Sequence, residues 1–142
     1  MNGNAELLNF VYQNSQMGVE TIKQLIDIVE DERFKERLRS QYDEYFEIHR
    51  AAKEALNKAG YDEKGIGTLD KIKTYLMINM QTMRDNSPSH VAEMLIIGSN
   101  MGVINAIKNL KKYKNADPKI LRLMEKLLKF EENNIQELKE YL

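Results

Sequence analysis

Apolar residues recur every three or four positions along almost the whole chain, and no segment shows the strict alternation that is typical of a β-strand. On a helix this spacing collects the apolar side chains on one face, which has to be buried against other helices. The sequence therefore predicts an all-α protein. Breaks in the pattern divide it into five helices, at about 4–30, 32–59, 69–84, 88–113 and from 118 to near the C-terminus.

The first break contains no glycine or proline, but the apolar face rotates by about 150° between Val29 and Phe34. We therefore predict a hairpin there, with Asp31 as the N-cap of the second helix. The other breaks are marked by residues that typically end or begin helices. These are Gly60, Thr68, Ser87 and Asp117, and a proline follows both Ser87 and Asp117.

Four of the predicted helices are long, with roughly 24 to 28 residues each, and a shorter one lies in the connection between the second and third long helices. Apolar types make up 42% of 142 residues, which is enough to bury one sizeable core. We therefore expect residues 1–142 to form a single helical-bundle domain. An up-down pair, a long crossover and a second up-down pair is the most economical topology.

Charge and cysteine content exclude several classes of function. Lys and Arg total 21 and Asp and Glu total 22, so there is no positive excess for binding nucleic acid. The absence of cysteine excludes disulfides, Cys-ligated zinc, iron–sulfur clusters and thiol nucleophiles. The N-terminal residues are polar and acidic, and no stretch approaches the roughly 18 apolar residues of a membrane span. We expect a cytoplasmic protein with no nucleic-acid or membrane partner.

Candidate site residues are polar side chains on the faces that point into the core, because burying them is costly unless they are paired or bind a ligand. His49 lies on the inner face of the second helix, one turn after Tyr45. Glu131 lies on the inner face of the last helix, with Asn134 one turn later. Further inward polar residues are Asn14, Ser15, Gln41, Tyr42 and Ser99.

Two interpretations of these residues remain open. In the first, His49 and Glu131 pair with each other or with tyrosine hydroxyls in a buried network that fixes the helix register. In the second, His49, Glu131, Asn134 and Tyr45 form a site for iron, manganese or zinc in the bundle core.

In the predicted fold, two hairpins of long helices are joined by a long crossover. Glu131 and Asn134 lie at i, i+3 on the last helix, and His49 points inward on the second. This combination resembles the ferritin-like superfamily. The resemblance implies a ferritin-like four-helix bundle with an additional short helix in the crossover. The segment from His49 to Tyr61, with its inward histidine and its Gly-Tyr end, is also similar to spore-coat proteins of ferritin-like fold.

The metal-ligand pattern of that superfamily is degenerate here. Its carboxylate-bridged di-iron members carry a Glu on each of two helices and a Glu-x-x-His pair on each of the other two. No Glu-x-x-His exists in this chain, because Phe46 and Ser87 stand three residues before its two histidines. Asn134 stands where the motif would place a histidine on the last helix, and Ser99 where a Glu would be needed. The resemblance therefore implies the fold without its oxidative chemistry.

The fourth helix is apolar almost all round between residues 91 and 107. One apolar stripe is expected to face the core. The opposite one has to be covered by the short third helix or by a second copy of the chain. We therefore predict a homodimer through the second stripe, which consists of Met94, Ile97, Met101 and Ile104.

The sequence favours a non-enzymatic protein with a structural or interaction role and no cofactor. Besides a second copy of the chain, an unidentified protein is a possible partner. No Ser-His-acid set on a strained turn is recognisable. The alternative is a metal-binding protein with a non-standard site around His49 and Glu131. A third hypothesis, storage of a small apolar ligand, requires a cavity of roughly several hundred Å³.

Overall fold

The computed structural model describes residues 2–63 and 69–142, and within these ranges it contains five helices and no strand. The prediction of an all-α protein is confirmed. The helices are α1 (Asn4–Ile28), α2 (Glu32–Lys58), α3 (Asp70–Gln81), α4 (Pro88–Lys112) and α5 (Pro118–Lys139).

Two of the predicted N-caps form as expected. The carboxylate of Asp31 accepts a hydrogen bond from the backbone N–H of Phe34 at 2.8 Å, which begins α2 after a short hairpin. The hydroxyl of Ser87 accepts one from the N–H of His90 at 3.3 Å, directly before Pro88 at the start of α4. Both bonds satisfy a backbone donor that the first helical turn leaves without a partner.

The other breaks differ in detail. Asp117 does precede α5, but its side chain makes no cap bond. Its backbone N–H instead donates to Oδ1 of Asn4 at 2.9 Å, which ties the start of α5 to the start of α1. Gly60 follows α2 with φ of 77°, a left-handed conformation that glycine adopts without strain. The predicted cap Thr68 lies outside the described residues.

Contacts at the helix ends show how the two hairpins are oriented. Gly3, before α1, lies directly against the ring of Tyr113, which follows α4. At the other end of α1, the side-chain amide of Asn86 donates to the carbonyl of Ile28 at 3.1 Å. Since each end of α1 meets the opposite end of α4, these two helices run antiparallel.

The same reasoning applies to α2 and α5. Arg37 near the start of α2 forms an ion pair with Glu137 near the end of α5. The rings of Phe34 and Tyr141 lie 4.7 Å apart at this same end of the molecule. Helices α2 and α5 are therefore also antiparallel.

The connection between α2 and α4 has to run along the length of the molecule. The amide of Asn9, near the start of α1, donates to the carbonyl of Asp62 at 3.5 Å, so the chain leaves α2 beside the start of α1. Helix α4 begins beside the end of α1. Helix α3 lies in this connection and packs on α4 through Leu76, while Met77 and Ile78 are exposed.

Buried apolar side chains from all five helices form one core cluster. Among its members that are withdrawn from solvent are Leu7, Leu25, Phe34, Leu38, Ile72 and Met124. Among the described residues, α4 is the helix that is long and apolar enough to cross a membrane, with a mean hydropathy of 1.2 over an 18-residue window. Of that window, 39% is buried inside the chain. A single helix of this kind is weak evidence of a membrane span.

Candidate functional site

Glu131 of α5 is the centre of a buried polar cluster. Its side chain is only 3% exposed. Oε1 accepts a hydrogen bond from the hydroxyl of Tyr45 on α2 at 2.5 Å and another from the amide of Asn14 on α1 at 3.3 Å. The hydroxyl of Ser99 on α4 also interacts with Tyr45 and with Glu131. Each long helix thus contributes one residue to what we call the Glu131 cluster: Asn14, Tyr45, Ser99 and Glu131.

The electrostatics of the cluster are dominated by burial. Burial raises the pKa of the Glu131 carboxyl above its ordinary value, and hydrogen bonds from Tyr45, Ser99 and Asn14 offset only part of that shift. Burial, and after it the negative charge of Glu131, hold the pKa of Tyr45 well above its ordinary value. The hydroxyl of Tyr45 therefore keeps its proton and donates it in the hydrogen bond to the Glu131 carboxyl group.

A cavity of about 30 Å³ adjoins the cluster. Two buried polar atoms on residues that line it have no hydrogen-bond partner: Oε2 of Glu131 and Nε2 of Gln41. The cavity is lined by residues of α1, α2, α3, α4 and α5, and no Lys, Arg or His is among them. It is much too small for the storage of an apolar ligand.

Gly18 of α1 makes room for the phenol ring of Tyr45. A Cβ atom at position 18 would lie 2.5 Å from Cδ1 of that ring, far inside van der Waals contact. The absence of a side chain at Gly18 therefore lets Tyr45 lie between α1 and α5 and reach Glu131. Sequence reasoning assigned Gly18 no role, and the signal that could have revealed one is a glycine inside an otherwise apolar helical stripe.

Three of the four predicted site residues lie together. Tyr45 contacts Glu131 directly, and the side chain of Asn134 lies near the Tyr45 hydroxyl. Nδ2 of Asn134 is buried without a hydrogen-bond partner of its own. These residues meet because Glu131 and Asn134 share one face of α5, which packs against Tyr45. The ring of Tyr45 also meets that of Phe130 on α5 edge to face, with 4.7 Å between centroids.

His49 is directed elsewhere. Its Nδ1 lies 3.2 Å from the carbonyl oxygen of Tyr12 and 3.3 Å from the hydroxyl of Ser15, both on α1. Its ring packs on that of Tyr12 with 4.5 Å between centroids. Its hydrogen-bond partners lie on α1, so the direct pairing of His49 with Glu131 is not observed. Glu131 instead bonds a tyrosine hydroxyl, that of Tyr45, which is the other form of that interpretation. Within residues 2–63 and 69–142, no group of three or more His, Cys, Asp or Glu side chains could hold a metal ion.

The predicted interface residues on α4 divide into two sets. Ile97 and Ile104 are exposed by 41% and 54%, and Met101 lies between them, partly buried. Met94 is buried in the core with 2% exposure, so its assignment to an exposed face is corrected. Gly98 lets Leu76 of α3 approach α4 closely, and Gly102 lies on the same side of the helix beside Asn14 of α1. The face that carries both glycines, together with Met94, is turned inward.

Comparisons of the chain with family models, with curated proteins and with solved structures find no match.

Proposed function

We propose that the chain is a non-enzymatic helical-bundle protein with a structural or interaction role, and that it forms a homodimer through the outer face of α4. The observation that carries this proposal is a row of apolar side chains on α4 in which Ile97 and Ile104 are exposed and Met101, between them, is partly buried. We call it the α4 stripe: Ile97, Met101 and Ile104.

The proposed architecture is a ferritin-like bundle of α1, α2, α4 and α5, with α3 in the crossover. The antiparallel pairing of α1 with α4 and of α2 with α5 supports it, as does the connection that runs the length of the molecule. Bundles with one long crossover are typical of ferritin-like folds.

The α4 stripe has the properties of an interface core. Its residues are spaced i, i+4 and i+7, so they lie in a row along one side of the helix. None is charged, so burial of the stripe itself removes no charge from water. In a twofold-symmetric dimer the same patch is used on both subunits, which suits a self-complementary apolar row.

The test is the effect of Ile104→Lys on oligomeric mass, measured by light scattering at several protein concentrations. We expect a dimer for the unchanged chain and a monomer for this variant, because the new lysines would be buried at the twofold interface. The matched control is Phe46→Lys on α2, where a 47% exposed apolar side chain receives the same charge.

The control should remain dimeric. A monomeric mass for the unchanged chain at every concentration, or a dimer that tolerates Ile104→Lys, would contradict the proposal. Circular dichroism of both variants shows whether the helical fold is kept.

A further inference from the structure

The α4 stripe lies between two exposed charges of opposite sign. Glu93 precedes it by one helical turn and Lys108 follows it by one turn. Positions 93, 97, 104 and 108 are spaced in steps of four and seven residues, so both charges lie on the same side of α4 as Ile97 and Ile104. No charged residue stands between Glu93 and Lys108 in the sequence. The stripe therefore has one acidic end and one basic end.

The two charges have no partner of opposite sign within the chain. In the part of the chain that the structure describes, neither Glu93 nor Lys108 forms an ion pair. Both side chains are exposed beside apolar residues that are themselves exposed. They are therefore available to a second molecule that covers the stripe.

A twofold dimer can place the two copies of α4 either parallel or antiparallel. In the parallel arrangement each residue faces its own copy, so Glu93 meets the partner's Glu93 and Lys108 meets the partner's Lys108. Like charges that face each other at an interface oppose association. In the antiparallel arrangement the acidic end of each stripe meets the basic end of the other, and both contacts are attractive.

Apolar contact and charge select the same antiparallel register. If the twofold axis crosses α4 between residues 100 and 101, Ile97 packs on the partner's Ile104. In this same register Glu93 faces the partner's Lys108, because the two positions lie equally far from the axis. A shift by four residues in either direction would set one of the isoleucines against a charged residue, which would then lose hydration.

On the basis of the homodimer proposed above, we propose that its two α4 helices pack antiparallel about an axis between Asn100 and Met101. The interface has Ile97 against the partner's Ile104 at its centre. An ion pair between Glu93 and the partner's Lys108 closes each end. The apolar centre supplies the affinity, and the two charges fix orientation and register.

The first experiment reverses the charges one at a time and together. Sedimentation equilibrium at low salt gives the dimer Kd of Glu93→Lys, of Lys108→Glu and of the variant with both changes. We expect each single variant to weaken the dimer by about tenfold, because each turns two attractive contacts into two repulsive ones. The variant with both changes should return to within about twofold of the unchanged chain, because it restores opposite charges at both ends.

The matched control is Glu44→Lys on an exposed position of α2, which changes the net charge equally. It should leave the Kd unchanged. In a parallel dimer each reversal would only exchange one pair of like charges for another. Single variants that dimerise as well as the unchanged chain would therefore overturn the antiparallel arrangement, and so would a variant with both changes that is weaker than either single one.

A second experiment measures the orientation directly. The chain has no cysteine, so Lys111→Cys carries one spin label in each copy. Residue 111 is about ten residues from the proposed axis, which separates the two labels of an antiparallel dimer by about 30–40 Å. In a parallel dimer the labels lie at the same height, about 10–20 Å apart. Pulsed electron paramagnetic resonance distinguishes the two distances.

The outcomes separate this inference from the proposed function. A dimeric mass with the long distance supports the antiparallel arrangement. A dimeric mass with the short distance overturns it and leaves the proposed homodimer standing. A monomeric mass of the unchanged chain in light scattering contradicts the homodimer itself, and the arrangement of α4 falls with it.

Discussion

At the scale of single residues, Glu131 is a carboxyl group surrounded by neutral donors. Burial raises its pKa in the folded chain above the value near 4.5 of an exposed carboxyl. Between the two pKa values the folded state binds more protons than the unfolded state does. The free energy of unfolding therefore contains a contribution from Glu131 that is fully present below the unfolded pKa and is lost as the pH rises through the folded pKa.

The loss of this contribution at higher pH can be tested with Glu131→Gln, because a glutamine side chain does not titrate. We expect the stability of the unchanged chain relative to this variant to be greatest below pH 4.5 and to fall as the pH rises above it. Urea unfolding at a series of pH values measures it. A stability difference between the two proteins that is independent of pH would contradict the assignment. Glu132→Gln, next to it but exposed, serves as the control.

Two glycines inside helices should respond oppositely to alanine. Alanine normally stabilises a helix interior by about 1 kcal/mol relative to glycine. At Gly18 the new Cβ would lie 2.5 Å from the Tyr45 ring, and we expect Gly18→Ala to destabilise the chain by about 1–3 kcal/mol. At Gly102 the nearest atom is Oδ1 of Asn14 at 3.4 Å, so Gly102→Ala should be neutral or stabilising. Denaturant unfolding of both variants checks the contrast.

At the scale of helices, the capping residues set where each element begins. Asp31→Ala removes the acceptor for the backbone N–H of Phe34 and should cost about 1 kcal/mol. Asp117→Ala is the matched control, because the Asp117 side chain makes no cap bond. We expect it to change the free energy of unfolding by less than half as much. Equal losses in the two variants would mean that the bond to Phe34 is not what stabilises α2.

The helices could be predicted closely because their signals are local. Apolar periodicity and the caps at Asp31 and Ser87 depend on neighbouring residues alone, and so does the inward direction of Tyr45 and Glu131. Which inward side chains meet depends on the axial height and rotation of one helix against another, and these are set by packing. For that reason the periodicity did not distinguish Tyr45 from His49, one turn later, as the partner of Glu131.

The inward face of α4 is a second feature that the pattern of apolar residues could not determine. Its sequence is apolar on nearly all sides, so periodicity alone could not select the buried face. The buried face carries Gly98, where Leu76 of α3 packs so closely that a Cβ atom would lie 3.1 Å from it. The side of α4 that carries Gly98 therefore faces the core, and Met94 lies on that side.

At the scale of the whole molecule, α3 is the helix most weakly held. Only Ile72 and Leu76 of α3 are buried, whereas each of the four longer helices has many buried residues. Amide hydrogen exchange should therefore be faster in α3 than in the middle of α1, α2 and α5, because few buried contacts oppose its local opening. Mass spectrometry of exchanged peptides measures this. Equal protection in α3 and α5 would show that α3 opens only when the whole chain unfolds.

The Glu131 cluster takes one side chain from each long helix, and this has a consequence for the order of folding. The two hairpins, α1 with α2 and α4 with α5, consist of contacts that are near in sequence, so each can form early. The bond between Tyr45 and Glu131 spans the two hairpins and forms only when they dock. If docking follows the transition state, Tyr45→Phe will speed unfolding and leave the folding rate almost unchanged, which is a φ-value near zero. The buried carboxylate is then a marker of the last event on the folding pathway.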